Sequence, residues 1–202
     1  NGILIKSGEA LEITHNIKSV VLDKTGTITQ GKPQVTDILP GKRTETELLT
    51  VAASLEEKSE HPLAEAILER AKVEGIRADK AEDFLAVPGR GVQARINGKL
   101  YFAGSQKFAE EKGIAAEKQR QDMERLAMEG KTPLLFFDEK EILGIIAAAD
   151  VVKDTSAQAI REMKKLGIEV IMLTGDNRRT AEAIKRQLDI DTVIAEVLPQ
   201  DK

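Results

Sequence analysis

A carboxylate followed by hydroxyl groups and a glycine stands directly after an apolar run near the start of the chain. The run covers residues 20–22, and Asp23, Lys24, Thr25, Gly26 and Thr27 follow it. An unbroken apolar run predicts a buried central strand, because a strand covered on both faces is apolar at every position. Asp23 then lies at the carboxyl end of that strand, where open α/β sheets bind their ligands. A carboxylate at such a position could serve as a nucleophile.

Two later apolar runs lead to comparable strand ends. The run 168–173 ends in Thr174, Gly175 and Asp176, and a third short strand is predicted over 193–195. A hydroxyl and backbone N–H groups at the start of a helix favour an anion, because the first-turn donors are unpaired and the helix dipole attracts negative charge. Since right-handed crossovers place neighbouring parallel strands in one sheet, we expect these strand ends to converge.

A histidine and a glycine pair between these regions are candidates for ligand contacts. His61 precedes Pro62, which suits the first position of a helix, and the residue before a proline is held extended. Position alone favours a helix cap over a ligand contact for His61. Gly89 and Gly91 form a Gly-x-Gly turn between two predicted strands, and a hairpin or bulge that needs a positive φ is the usual explanation of such a turn.

Composition limits the class of protein. A chain of 202 residues can form one large domain or two modest ones, and 30 basic against 34 acidic residues give no indication of nucleic-acid binding. There is no cysteine, which excludes disulfides and thiolate metal sites. No apolar run approaches the roughly 18 residues of a membrane-spanning helix. The chain starts at Asn1 without a methionine, so we expect a fragment of a larger protein. Since no run is long enough to span a membrane, we expect this fragment to be soluble, and we also expect it to be monomeric.

The pentad Asp23–Thr27 resembles the signature of P-type ATPases, and Ser59-Glu60-His61-Pro62 resembles the nucleotide-binding signature of their heavy-metal subgroup. Thr174–Asp176 follows in the expected order, so the resemblance covers nearly the whole chain. It implies that Asp23 attacks the γ-phosphate of ATP and becomes an aspartyl phosphate. The implied cofactors are ATP and Mg²⁺.

The resemblance also implies roles for single residues. Around the phosphoryl group it implies catalytic roles for Asp23, Lys24, Thr25, Thr27, Thr174, Gly175 and Lys202, with Mg²⁺ held by the Asp23 carboxylate and the Thr25 backbone carbonyl. Around the nucleotide it implies Glu56 and His61 at the adenine, Gly89, Gly91 and Gly104 in the pocket, Lys153 near the phosphates, and Asp176 on the hinge or nucleotide side.

The implied fold is α/β with two domains. A Rossmann-like parallel sheet of the haloacid dehalogenase type forms the phosphorylation domain, residues 1–38 and 142–202. An α+β nucleotide-binding domain with an antiparallel sheet, residues 39–141, interrupts it. Local signals in the inserted domain are a capping box of Thr44 and Glu47 and a hairpin turn at Asn97-Gly98.

The residue two positions after Asp23 separates a transport ATPase from a phosphatase. Soluble phosphatases of the haloacid dehalogenase superfamily usually carry a second aspartate there as the general acid and base. Thr25 cannot take up a proton in that role at neutral pH, so an aspartyl phosphate should be long-lived. A soluble phosphatase and a non-catalytic nucleotide-binding module stay open as alternatives.

Two segments of the sequence bear on the identity of the transported ion. Residues 86–89 and 194–199 look most like those of copper(I) exporters, and zinc or cadmium export is the alternative. The resemblance implies a cytoplasm-facing part of a membrane protein. Its partners would be the membrane and actuator domains of the same polypeptide and a metallochaperone. A Gly-Asp-Gly-x-Asn-Asp segment would follow Lys202 in the family, so we expect this chain to bind nucleotide but to be phosphorylated poorly.

Overall fold

The computed structural model describes residues 7–59, 61–176 and 178–198. The chain divides into two compact units, Asn1–Gln30 with Val152–Lys202 and Gly31–Val151. The described helices are α1 (Gly8–His15), α2 (Glu45–Glu56), α3 (Pro62–Val73), α4 (Gln106–Glu111), α5 (Arg120–Met128), α6 (Ser156–Lys165) and α7 (Arg178–Leu188). The described strands are β1 (Ser19–Asp23), β2 (Thr29–Pro40), β3 (Ala81–Val87), β4 (Gly91–Ile96), β5 (Lys99–Gly104), β6 (Thr132–Asp138), β7 (Ile142–Val152), β8 (Glu169–Leu173) and β9 (Thr192–Ile194).

The first unit contains a parallel sheet in the order β1-β8-β9. Asp23 lies opposite Leu173, and Leu173 lies opposite Ile194, so the three strands end at the same edge. Apolar side chains of β8, α6 and α7 form the core of this unit, and Val170 and Met172 are completely buried. The predicted convergence of three parallel strand ends is confirmed.

β1 differs from the buried central strand that its apolar run predicts. Among the described strands it pairs with β8 alone and lies at the edge of the sheet. The Val21 side chain is 57% exposed, whereas Leu22 packs against the core of the unit. The prediction of burial on both faces is therefore wrong. In the described part of the chain this strand has one packed face, and an apolar run does not by itself separate one covered face from two.

The second unit contains a six-stranded sheet in the order β2-β7-β6-β5-β4-β3, and its successive pairs from β7 to β3 are antiparallel. Alternate side chains of β5 enter two different cores, because successive residues of a strand point to opposite faces. Tyr101 and Ala103 belong to the core that α2 and α3 complete. Phe102 belongs to the other core, with Phe108 of α4 and Leu126 of α5. This is the antiparallel sheet flanked by helices that we expected, and the expected domain boundaries at residues 39 and 141 stay a prediction.

The second unit contains the capping box and the hairpin turn that the sequence predicts. Thr44 and Glu47 form a complete capping box at the start of α2. Asn97 and Gly98 join β4 to β5 with φ values of 51° and 77°, as a type I′ turn requires. Among the described residues, no helix is both long and apolar enough to cross a membrane.

Candidate functional site: a phosphoryl edge and a nucleotide cavity

The loop after β1 turns sharply directly behind Asp23. Thr25 is extended, with φ −74° and ψ 121°, and Gly26 has a φ of 77° that favours glycine. The Thr29 hydroxyl donates to the Lys24 carbonyl oxygen at 2.9 Å and closes the loop. The Thr27 side chain is exposed. The loop therefore presents Thr27 to solvent next to the end of β1.

The segment before α6 holds the other side of this loop. The Lys153 ammonium donates to the Gly26 carbonyl oxygen at 2.5 Å. The buried Ser156 hydroxyl donates to the Ile28 carbonyl oxygen at 2.7 Å, and the Lys153 backbone N–H donates to the same oxygen at 3.0 Å. Lys153 thus contacts the loop that follows Asp23, and its expected place near the nucleotide phosphates stays a prediction.

A short ion pair joins the loop after β1 to the loop after β8. The Lys24 Nζ lies 2.6 Å from the Asp176 Oδ2, and the two side chains are 7% and 33% exposed. Lys24 therefore points into the protein. The contact holds the loop that carries Asp23 beside the loop that carries Thr174 and Gly175.

The loop after β8 has a fixed shape. The Asp176 N–H donates to the buried Thr174 hydroxyl at 3.1 Å. The Thr174 N–H donates to the Ile194 carbonyl oxygen, and its carbonyl oxygen accepts from the Val197 N–H. A Cβ on Gly175 would lie 3.2 Å from the Val197 carbonyl oxygen, so glycine fits closely there. The backbone of this expected anion site is therefore held by hydrogen bonds to the segment after β9. Lys202, the other expected phosphoryl contact, lies outside the described residues.

A cavity of about 910 Å³ lies in the second unit. Its size is within the range of nucleotide and cofactor sites, roughly 300–1,000 Å³. Its lining combines an apolar body with a few polar groups, as small-molecule sites do. It is lined by Glu56, Lys58, Ser59, His61, Phe84, Ala86, Val87, Gly89, Arg90, Gly91, Val92, Ala103, Gly104, Ser105, Thr132, Pro133 and Leu134. The five residues of this unit that we expected at the nucleotide, Glu56, His61, Gly89, Gly91 and Gly104, are all among them.

Glu56 and His61 meet at the junction of α2 and α3. Glu56 is 3% exposed, and this burial raises the pKa of its carboxyl, while a hydrogen bond with Ser59 and the charge of His61 act in the opposite direction. The His61 Nδ1 accepts the Leu63 N–H at 3.2 Å and caps α3. In the neutral ring the proton is then on Nε2, which is left to donate to a ligand.

Glycine occupies the three expected positions for different physical reasons. Gly91 and Gly104 lie opposite each other in β4 and β5. A Cβ on Gly91 would overlap the Ala103 carbonyl oxygen, and a Cβ on Gly104 would overlap that of Arg90. Glycine is therefore required there by the close approach of the protein's own strands. Gly89 has a φ of 68° with open space around its Cβ position, so a ligand can approach its backbone.

Several cavity residues carry no sequence signal of their own. Phe84 comes from β3, and Thr132, Pro133 and Leu134 come from β6. Lys58 follows α2, and its ammonium donates to the Ala81 carbonyl oxygen at 2.9 Å. Phe84, Pro133 and Leu134 supply part of the apolar lining, and the order of β3 and β6 in the sheet brings them to the same cavity.

Comparison with known proteins agrees with this architecture. The family model for haloacid dehalogenase-like hydrolases matches residues 17–202. The chain is 47% identical to a copper-exporting P-type ATPase of Staphylococcus saprophyticus and 44% identical to a probable copper-importing P-type ATPase of Enterococcus hirae. Both matches cover all of this chain but 25% and 28% of the relatives, so the chain spans about a quarter of their length.

The chain also resembles solved structures of P-type ATPases. A zinc-transporting PIB-type ATPase in its E2.Pi state is 38% identical, with a TM-score of 0.88 over 98% of this chain and 32% of that one. The sequence and structural matches both extend over nearly the full chain. The chain therefore belongs to the haloacid dehalogenase-like hydrolase family, as a relative of the heavy-metal-transporting P-type ATPases.

Proposed function

We propose that this chain is the nucleotide-binding and phosphorylated part of a metal-exporting P-type ATPase. ATP would bind in the cavity of the second unit, and its γ-phosphoryl group would be transferred to Asp23. The observation that carries the proposal is the contact between Lys24 and Asp176 at 2.6 Å. This contact joins the loop that carries the Asp23 carboxylate to the expected anion site of Thr174 and Gly175, and the strands before both loops end at one edge of the parallel sheet.

In the proposed step an Asp23 carboxylate oxygen attacks the γ-phosphorus of ATP. The bond from that phosphorus to the oxygen bridging to the β-phosphate breaks, and ADP leaves. Two negative groups repel each other, so fixed donors must offset the charge. We assign that role to Thr27, Thr174, Gly175 and Lys202.

Mg²⁺ would lower the repulsion between the nucleophile and the phosphates when it is bound. The donor chemistry fits, because the Asp23 carboxylate and the Thr25 carbonyl are hard oxygen ligands, and phosphoryl-transfer sites complete the Mg²⁺ shell with substrate phosphates and water. In the described part of the chain, no group of three or more His, Cys, Asp or Glu side chains could hold a metal ion by itself. Thr25 brings no general base to the phosphorylated carboxylate, so the intermediate should persist.

The adenine would lie at the α2–α3 junction. Apolar residues such as Phe84 and Leu134 offer a surface for its ring. The His61 Nε2 and the buried Glu56 carboxyl offer polar contacts at its edge. Gly89 leaves room for the ribose or phosphates to approach the backbone.

For the whole protein we propose copper(I) export, with the chain facing the cytoplasm and working with membrane and actuator domains of the same polypeptide. A metallochaperone would deliver the ion. The similarity to copper-exporting P-type ATPases supports copper, and the similarity to a zinc-transporting ATPase keeps zinc as the competing ion. An assay of metal-stimulated ATP hydrolysis by the intact transporter with copper(I) and with zinc would decide between them.

The binding step can be tested on this chain by NMR titration with ATP. His61→Asn is the informative variant, because asparagine can still cap a helix but lacks the imidazole. Loss of one ring contact should weaken ATP binding by about fivefold. His15→Asn is the matched control, since His15 belongs to the first unit and not to the cavity lining. ATP binding that is undiminished in His61→Asn would contradict the adenine assignment.

The phosphorylation step needs a separate assay. The chain is incubated with Mg²⁺ and γ-phosphate-labelled ATP, and covalently bound label is measured after acid precipitation. We expect any label to depend on Asp23 and to be absent from Asp23→Asn. Label that persists in this variant would show that another residue is phosphorylated.

A further inference from the structure

The turn between β3 and β4 places a cationic residue at the cavity. Arg90 lies between Gly89 and Gly91 and lines the cavity. Its backbone N–H donates to the Val87 carbonyl oxygen at 3.0 Å, and its carbonyl oxygen accepts the Ser105 N–H at 3.2 Å. The Arg90 backbone is therefore held from both sides of the turn.

The guanidinium of Arg90 is anchored as well. Its Nε donates to the Glu111 Oε2 at 2.7 Å, and the two side chains are 37% and 42% exposed. Glu111 is the last residue of α4, and the Ser105 hydroxyl accepts the Phe108 N–H at the start of the same helix. One short helix thus fixes both the backbone and the side chain of Arg90. Ordering of a long side chain before binding reduces the entropy lost when a ligand binds.

The remaining donors of this guanidinium are suited to an anion. A guanidinium has five N–H donors. Among the described residues, the side-chain hydrogen bond of Arg90 uses its Nε–H. Its planar fork matches the oxygens of a phosphate better than an ammonium does. The position also suits a phosphate, because the adjacent Gly89 has open space at its Cβ position.

The other fixed cation in the described lining of the cavity is placed differently. Lys58 lies at the α2–α3 junction, next to Ser59, and its ammonium donates to the Ala81 carbonyl oxygen. This is the region that we assign to the adenine. The cationic group that accompanies the open glycine turn is therefore Arg90.

We propose that Arg90 is a specificity-determining residue that binds the phosphate chain of the nucleotide, with Glu111 holding its guanidinium in place. The inference rests on the proposed function, because it assumes that the cavity binds ATP. It adds the residue by which the cavity distinguishes a nucleoside triphosphate from a nucleoside.

The test compares adenosine, AMP, ADP and ATP by isothermal titration of the chain and of Arg90→Gln. ATP should bind roughly threefold to fivefold more weakly to the variant, as expected for a partly exposed ion pair. Adenosine should bind within about twofold of the wild-type affinity, because it carries no charge for Arg90 to contact. The difference between ATP and adenosine should shrink in high salt, since exposed charges are screened.

Arg95→Gln is the matched control. Arg95 lies in β4, the strand that follows Arg90, and pairs with Asp83 at 3.5 Å, but it is not among the residues that line the cavity. The same change of charge there should leave ATP affinity within about twofold. Equal loss in both variants would mean that only net charge matters, and it would overturn the proposal.

Three other outcomes are decisive. Unchanged ATP affinity in Arg90→Gln overturns the inference while the proposed function stands. Equal losses for adenosine and ATP also overturn it, because they would indicate a structural role for Arg90. If the wild-type chain binds neither ligand, the proposed function fails and the inference fails with it.

Discussion

Asp176→Asn tests whether the ion pair with Lys24 holds the loop after β1 beside the loop after β8. The substitution keeps the size of the side chain and removes its charge. The Lys24 ammonium, 7% exposed, would then face a neutral amide in place of a carboxylate. A buried ammonium that loses the attraction of this carboxylate keeps its desolvation penalty, so the folded state of the first unit should lose stability.

The magnitude follows from the burial of the two partners. Removal of one member of a fully buried ion pair destabilises a protein by about 3–5 kcal/mol. Asp176 is 33% exposed, and the asparagine oxygen can still accept one hydrogen bond. We therefore expect a loss of about 2–3 kcal/mol in the free energy of unfolding.

The assay is urea denaturation followed by NMR, because the chain has no tryptophan and its single tyrosine lies in the second unit. Amide signals of Val170 and Met172 report on the first unit, and those of Ala94 and Tyr101 report on the second. The signals of the second unit should keep their midpoint, which makes them an internal control.

Asp189→Asn provides the matched comparison. Asp189 pairs with Lys164 at a similar distance, 2.8 Å, and belongs to the same unit, but its side chain is 88% exposed. An exposed ion pair contributes at most about 1 kcal/mol, so this variant should lose far less stability. Equal losses in the two variants would refute the argument that burial makes the Lys24–Asp176 contact important. A double-mutant cycle with Lys24→Met would then measure the coupling between the partners directly.

Two further predictions concern the second unit. Burial raises the pKa of the Glu56 carboxyl in the folded state. The contribution of Glu56 to the free energy of unfolding is therefore complete below its pKa in the unfolded chain, about 4.3, and is lost as the pH rises through its pKa in the folded state. The stability of Glu56→Gln relative to wild type should therefore increase in urea denaturation as the pH rises above about 4.3, and a difference that does not change with pH would contradict this. Gly104→Ala, whose Cβ would overlap the Arg90 carbonyl oxygen, should lose about 2–3 kcal/mol by the same assay. Gly98→Ala, where the Cβ position is open but φ is 77°, should lose about 1 kcal/mol, and equal losses would argue against the overlap.

Features that depend on neighbouring residues were predictable from the sequence. The capping box of Thr44 and Glu47 and the Asn97-Gly98 turn need only a few consecutive residues to form. The parallel arrangement of the three strand ends could also be predicted, because the handedness of crossovers leaves few alternatives. These constraints are local or topological, so one sequence contains them.

Features that depend on distant residues were not predictable in the same way. The exposure of Val21 depends on how many strands neighbour β1, and its own apolar run does not contain that information. The burial of Lys24 depends on a carboxylate 152 positions away. Phe84 and Leu134 reach one cavity because the sheet order puts β3 and β6 around it. In each case the partner is set by packing between elements.

His61 shows why a local signal and a functional one need not compete. Its place before Pro62 favours a helix cap, and the resemblance to heavy-metal ATPases favours a nucleotide contact. The structure assigns the cap to Nδ1, which accepts the Leu63 N–H at 3.2 Å. That bond fixes the tautomer of the neutral ring and the direction of the ring, so Nε2–H stays available as a donor at the cavity. The cap therefore orients the group that we propose as the ligand contact. A substitution that destroys both roles cannot separate them, whereas asparagine can retain the first and remove the second.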